Sequence, residues 1–147
     1  MALIRAVAAA LLIAGCSRPG GSPAGTPTDF GGIVQAFSGR GIVVDTVVSG
    51  EPGCDDRDLT PTAIAFSAHG LDQPTPVRVH VYLFRDDAAD QRLRSAVDAC
   101  ARAYVSDPDG YVSIDASPFV LTGQGPWGSQ FVGALRAGLT SAATGGR

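Results

Sequence analysis

Three stretches of the chain repeat their hydrophobic residues at the spacing of an amphipathic helix. The first ends at Gly39, the second covers residues 86–104 with Asp87 as its expected N-cap, and the third begins at Gly128 or Ser129. The expected buried stripes are, in chain order, Phe30, Ile33, Val34 and Phe37; Leu93, Val97, Cys100 and Tyr104; and Phe131, Leu135 and Leu139. The pattern predicts three helices, each of which packs through one face.

Other stretches have the features of β-strands. The predicted strands cover residues 42–48, 62–68, 76–84, 111–116 and 118–122, the last two as separate strands or as one bent strand. The first is β-branched and nearly all apolar, which predicts a buried strand. The third alternates apolar and polar residues, which predicts a sheet with one face on the core. The short turn 70–74 favours an antiparallel hairpin between the second and third strands.

These elements follow one another in the order α-β-β-β-α-β-β-α, without an internal repeat. The order indicates an α+β fold, with a largely antiparallel sheet of four or five strands and about three helices. The 147-residue chain has the usual length of one domain rather than two. We expect the globular domain to span residues 29–143 and the tail 144–147 to fray.

The N-terminal residues have the pattern of an export signal. Arg5 precedes the uncharged run 6–15, which is too short to span a bilayer because a transmembrane helix needs about 20 apolar residues. The run closes with Ile13-Ala14-Gly15-Cys16. These four residues resemble the lipobox of bacterial lipoproteins, and the resemblance covers the first 16 residues only.

The resemblance implies that the Cys16 thiol receives a diacylglycerol, that a peptidase removes residues 1–15, and that a further acyl chain is often added. Two or more acyl chains anchor a protein stably. Residues 16–28 would then be the lipidated cysteine and a flexible tether rich in Pro, Gly, Ser and Thr, with a reach of roughly 20 to 40 Å. The expected location is the extracytoplasmic face of the cell membrane. The alternative is an ordinary cleaved signal with a chance cysteine.

Two cysteines remain, Cys54 in a predicted loop and Cys100 on the buried stripe of the second helix. Disulfides persist in the compartments that exported proteins reach. We therefore predict a Cys54–Cys100 disulfide that ties the loop to the helix. The alternative is a pair of buried thiols.

Charge excludes some classes of partner. Without Arg5 the chain has 10 Arg against 14 acidic residues, a net charge of −4. This balance argues against nucleic-acid binding, which requires a basic surface. On the second helix, Asp90 with Arg94 and Asp98 with Arg102 have the spacing of exposed ion pairs.

Two glycine-rich or acidic motifs resemble ligand sites but are incomplete. Residues 123–128 match G-x-G-x-x-G, yet no acidic residue follows Asp115 and no second strand of a βαβ unit follows the helix. We expect a turn with Trp127 packed on the core, or at most an anion at the start of the last helix. Residues 107–110 with Asp115 contain only part of a calcium loop and are expected to form a turn.

The acidic loop residues next to Cys54 are Asp55, Asp56 and Asp58. A hard cation could bind such a cluster, but a solvated loop is the favoured interpretation, because three near-adjacent acids rarely converge unaided. The sequence thus predicts no metal site and no cofactor.

The best candidate for a polar binding face is Arg78, His80 and Tyr82 on one strand, together with Trp127. The chain has no G-x-S-x-G, H-E-x-x-H or C-x-x-C signature of catalysis. We therefore predict a binding or accessory module whose partner is an envelope protein or a small molecule. The alternatives are an envelope hydrolase that uses His80 or His69, and a purely structural lipoprotein. The sequence leaves the oligomeric state open.

Overall fold

The computed structural model describes residues 28–145, so the predicted export signal, Cys16 and the tether up to residue 27 lie outside the described residues. The predicted order of elements and the α+β class are confirmed. The helices are α1 (Thr28–Ser38), α2 (Asp87–Ala101) and α3 (Ser129–Gly145), and the strands are β1 (Val43–Ser49), β2 (Ala63–Gly70), β3 (Gln73–Leu83), β4 (Tyr111–Ala116) and β5 (Phe119–Gln124). Two short 3₁₀ helices, Thr60–Thr62 and Pro108–Gly110, lie in the connections.

The five strands form one antiparallel sheet in the order β1-β2-β3-β5-β4. Helices α1 and α3 pack on one face, where Phe37, Phe131 and Leu135 meet Val79 and Val81 of β3. Helix α2 packs on the other face and forms a second, smaller core with Tyr82, Val97 and Cys100 among its members. Because successive residues of a strand point to opposite faces, β3 contributes to both cores.

Strand β1 is not the buried strand that its composition predicted. It lies at the edge of the sheet, and Val43, Val47 and Val48 are 50%, 47% and 42% exposed. The pairing with β2 shifts register between Asp45 and Val48, and Thr46 has a left-handed φ of 49°. A bulge at an edge strand interrupts its ladder and discourages pairing with another chain.

Helix α2 differs from the prediction in its cap and in its ion pairs. Asp86, not Asp87, is the N-cap, since its carboxylate accepts a hydrogen bond of 2.8 Å from the amide of Ala89. Arg94 bonds Asp98 and, on β4, Asp115, rather than Asp90. The expected ion pair between Asp98 and Arg102 is not formed within the described residues. Asp98 faces β4, where the Tyr111 hydroxyl donates to it, and its ion pair is with Arg94.

Helix α3 extends beyond the expected end of the domain. It continues to Gly145, and the hydroxyl of Thr144 donates to the carbonyl of Thr140. The helix thus ends two residues beyond the expected boundary at residue 143, the fraying of the tail stays a prediction, and residues 146–147 lie outside the described part of the chain.

The predicted disulfide is confirmed. Cys54 and Cys100 are bonded, with 5.3 Å between their Cα atoms and a sequence separation of 46. Cys100 is buried on α2 and Cys54 packs at the edge of the same core. The bond therefore fastens the long loop between β1 and β2 onto α2.

Candidate functional site

The residues predicted to share a polar binding face do not form one. Helix α2 and the disulfide-bonded loop cover the part of the sheet where His80 and Tyr82 lie, so His80 is 4% exposed and Tyr82 is 0% exposed. Arg78, two residues earlier on β3, remains exposed. Alternation along a strand does not reveal which part of a sheet face a helix covers, and this is why the prediction fails.

Trp127 lies on the opposite side of the sheet. Its ring packs edge-on against Phe131 of α3, 5.8 Å between centroids, next to the core shared by α1 and α3. Its indole N–H donates to the carbonyl of Gln124 at 2.7 Å. The predicted packing of Trp127 on the core is confirmed, and its predicted convergence with His80 and Tyr82 is wrong.

His80 is a buried, neutral histidine. Its ring stacks on Tyr104 at 4.2 Å, and a Cβ atom on Gly53 would overlap the Tyr104 ring, so the loop closes tightly over the pair. Burial, and secondarily the positive charge of Arg78, lowers the pKa of His80 to about 4, while Glu51 opposes the shift. The imidazole therefore carries no charge near neutral pH.

His69 and His80 are not brought together. His80 pairs with Ala65 across β2 and β3, and His69 lies four residues farther along β2, about 13 Å at 3.3 Å per residue. His69 Nδ1 lies 3.8 Å from an Asp45 carboxylate oxygen, beyond hydrogen-bond distance. Within the described residues, neither histidine hydrogen-bonds a serine, so no triad is assembled around them.

Two tyrosines connect the loop to the sheet beneath His80. The Tyr82 hydroxyl donates to the carbonyl of Pro52 at 2.8 Å, and the Tyr104 hydroxyl lies 2.6 Å from that of Thr122. Burial raises the pKa of both phenols, so both remain protonated. These hydrogen bonds satisfy the polar atoms of the buried Tyr82 and the half-buried Tyr104, so both side chains have a structural explanation.

Gly123 and Gln124 end strand β5, residues 125–128 connect it to α3, and a side chain binds two amides in the first turn of that helix. The carboxylate of Asp72, from the turn between β2 and β3, accepts hydrogen bonds from the amides of Gln130 and Phe131 at 3.0 and 2.9 Å. The bond from Gln130 is the main cause of a lowered Asp72 pKa. A protein carboxylate thus occupies the place expected for an anion.

The acidic loops are used for local hydrogen bonding. One Asp56 oxygen accepts from the amides of Asp58 and Leu59, and Asp107 accepts from the amide of Asp109 in the predicted turn. In residues 28–145, no group of three or more His, Cys, Asp or Glu side chains could hold a metal ion.

A cavity of about 520 Å³ lies at the C-terminal end of α2, where it faces the start of β4. The residues that line it are Asp98, Ala101, Arg102, Val105, Pro108 and Tyr111. Ala101, Val105 and Pro108 supply apolar walls, and Asp98, Arg102 and Tyr111 supply a few polar groups. Small-molecule sites have this size and this balance of polar and apolar lining.

One carboxylate, that of Asp98, organises the polar side of the cavity. Its Oδ1 accepts a hydrogen bond of 2.6 Å from Arg94 and one of 3.0 Å from the Tyr111 hydroxyl. Arg94 also donates to Asp115 at 2.8 Å and to Ser113 at 2.9 Å. Burial opposes the charge of Arg94, but its two carboxylate partners outweigh burial and raise its pKa. The network fixes Asp98 and Tyr111 in place.

Sequence reasoning missed this cavity. It placed Asp98 on the exposed side of α2, and it treated Ser113 and Asp115 as residues of the predicted strand 111–116 that match no catalytic signature. The available signal was that Tyr111, Ser113 and Asp115 alternate along one strand and therefore share one face. That face meets α2, a fact that only the tertiary structure supplies.

Comparison with known proteins identifies no relative: no family model, curated protein or solved structure matches the chain. Within the described residues, none of the helices has the length and hydropathy needed to cross a bilayer.

Proposed function

We propose that the protein is a lipid-anchored, extracytoplasmic binding module of a bacterial cell envelope, and that the cavity at the end of α2 is its ligand site. The observation behind the proposal is the cavity itself, about 520 Å³ with apolar walls and a fixed carboxylate. Such a lining suits a small organic molecule that is partly apolar.

Other features of the chain support a binding role over the two alternatives. A hydrolase built on His80 would need that imidazole to reach substrate, whereas it is 4% exposed under the disulfide-bonded loop. A purely structural domain would have no need for a lined cavity in which charged side chains are held by several hydrogen bonds.

The anchor is proposed from Ile13-Ala14-Gly15-Cys16 and from the disulfide. Export to an oxidising compartment is the usual setting for a disulfide. Lipidation of Cys16 would hold the domain at the membrane through its tether, with no need for a spanning helix. The membrane is then a partner through the lipid alone.

Filling the cavity tests the ligand site. In Val105→Phe the larger side chain should occupy the apolar half of the cavity and weaken fragment binding by about tenfold or more, since little apolar surface would remain to bury. Binding is measured by amide chemical-shift titration of the ¹⁵N-labelled full-length chain in non-ionic detergent, with a library of small fragments.

The matched control is Val47→Phe, the same change at an exposed position of β1. It should leave fragment binding unaltered. If no fragment shifts the amides of the cavity residues, or if both variants bind fragments like the wild type, the ligand site is refuted.

Replacing Cys16 with Ser tests the anchor. The variant should move from the membrane fraction to the soluble exported fraction, because the thioether that would hold the diacylglycerol cannot form. Fractionation and mass spectrometry of the N-terminal peptide measure the change. Ser17→Ala is the matched control and should stay with the membrane. Membrane retention of the Cys16→Ser protein would argue against the lipid anchor and for another attachment, whereas a wild type found in the soluble fraction would argue for an ordinary cleaved signal.

A further inference from the structure

We propose that the ligand of the cavity is a small organic cation, an amine or quaternary ammonium group attached to an apolar body. This inference rests on the proposed ligand site and adds its chemical class. Asp98 would face the positive charge, the Tyr111 ring would lie beside it, and Ala101, Val105 and Pro108 would contact the apolar part.

The carboxylate of Asp98 has capacity for a ligand. Its two hydrogen bonds, from Arg94 and Tyr111, both go to Oδ1, and within the described residues Oδ2 accepts none. The Asp98 side chain is 45% exposed. Asp98 lines the cavity, and its carboxylate would accept a hydrogen bond from the N–H of a protonated amine or attract a quaternary ammonium through charge alone.

The charges around the cavity favour a cation. Asp107 and Asp109 flank Pro108 in the wall, and Asp98 and Asp115 share the single guanidinium of Arg94. With Arg102 included, four carboxylates stand against two guanidiniums, a net charge of −2. Helix α2 ends at Ala101, which lines the cavity, so the negative end of the helix dipole adds partial negative charge at this place.

Arg102 does not reverse this preference. It is exposed at the rim, where water screens its charge, and it is a single cation beside the acidic network. An anion bound to Arg102 inside the cavity would lie next to Asp98 and would be repelled. The aromatic ring of Tyr111 adds a surface on which a cation is favoured over an anion.

The hydroxyl of Tyr111 is positioned to keep Asp98 in place during binding. Burial, with the hydrogen bond to Asp98 as the second cause, raises the pKa of Tyr111 to about 12. The phenol therefore remains a donor to Oδ1 at physiological pH, and within the described residues Oδ2 keeps no protein donor. Without this bond, Asp98 would be free to adopt other rotamers.

Three compounds with one phenyl group and different charge provide the test: benzyltrimethylammonium, benzyl alcohol and phenylacetate. We expect the cation to bind the full-length chain about tenfold more tightly than phenylacetate, with benzyl alcohol between them, because attraction of one charge and repulsion of the other add. Amide shifts of Ala101, Arg102 and Val105 report the site. Raising the salt concentration from 20 to 500 mM should weaken binding of the cation severalfold, because salt screens the attraction between the charges.

Asp98→Asn should remove most of the preference, and Asp58→Asn, the same change in the loop before Thr60–Thr62, should keep it. Equal or tighter binding of phenylacetate, or a preference that persists in Asp98→Asn and in high salt, would overturn the cation assignment. If Asp98→Asn does not fold, the salt dependence of the wild type tests the assignment instead: cation binding that does not weaken at 500 mM salt would overturn it. If other fragments bind, lose affinity in Val105→Phe, and the cation does not bind, this inference is overturned and the ligand site still stands. If no fragment binds, both the cation assignment and the ligand site are refuted.

Discussion

Replacing Cys54 and Cys100 together with alanine should lower the free energy of unfolding by about 4 kcal/mol. The bond closes a loop of 46 residues, and opening it restores that loop's conformational entropy to the unfolded chain. Since small domains are stable by about 5 to 15 kcal/mol, the loss is a large share of the total. The midpoint of thermal unfolding should fall by roughly 10 to 20 °C.

Urea unfolding of the full-length chain, followed by circular dichroism, measures this effect. Reductant should destabilise the wild type by a similar amount and leave the double variant unchanged, which separates loss of the bond from loss of cysteine packing against Val97 and its neighbours. A double variant within about 1 kcal/mol of the wild type would contradict the loop-entropy account, and would imply that Tyr82 and Pro52 alone hold the loop on the sheet.

Local patterns were sufficient to predict the elements of this fold. Helical periodicity identified Phe131, Leu135 and Leu139 as a buried stripe, and all three are buried in α3. The short turn after β2 predicted the hairpin with β3, which is formed. These features depend on interactions between residues close in sequence, and the periods of 3.6 and 2 record them directly.

Which side chains are buried depends on which helices and strands pack together. Local sequence patterns could not predict this packing. The apolar composition of β1 is compatible with a central or an edge strand, and the sheet places it at the edge. His80 and Tyr82 follow the alternation typical of a solvent-facing strand, yet α2 and its disulfide-bonded loop pack over them. The same tertiary contact brings Asp98 to Tyr111 and so creates the candidate ligand site.

Lowering the pH from 7 to 4 should destabilise the wild-type protein by about 3 kcal/mol through His80 alone. The pKa of His80 is about 4 in the folded protein and about 6.5 in the unfolded chain, so between these values the unfolded state binds more protons. Stability from this group is complete above pH 6.5 and is lost progressively as the pH falls toward 4. Urea unfolding at intermediate pH values gives the slope.

His80→Phe should remove this dependence, because phenylalanine can keep the stacking on Tyr104 and does not titrate. His69→Gln is the matched control and should retain the wild-type slope. Asp72 and Asp86, whose pKa values are lowered from 3.8 by backbone amides at helix starts, lose their contribution only as the pH falls below about 4. Loss of stability between pH 6.5 and 4 therefore reports the buried imidazole of His80. If the dependence of stability on pH is unchanged in His80→Phe, water or a counter-charge reaches the ring beneath the loop and the prediction is wrong.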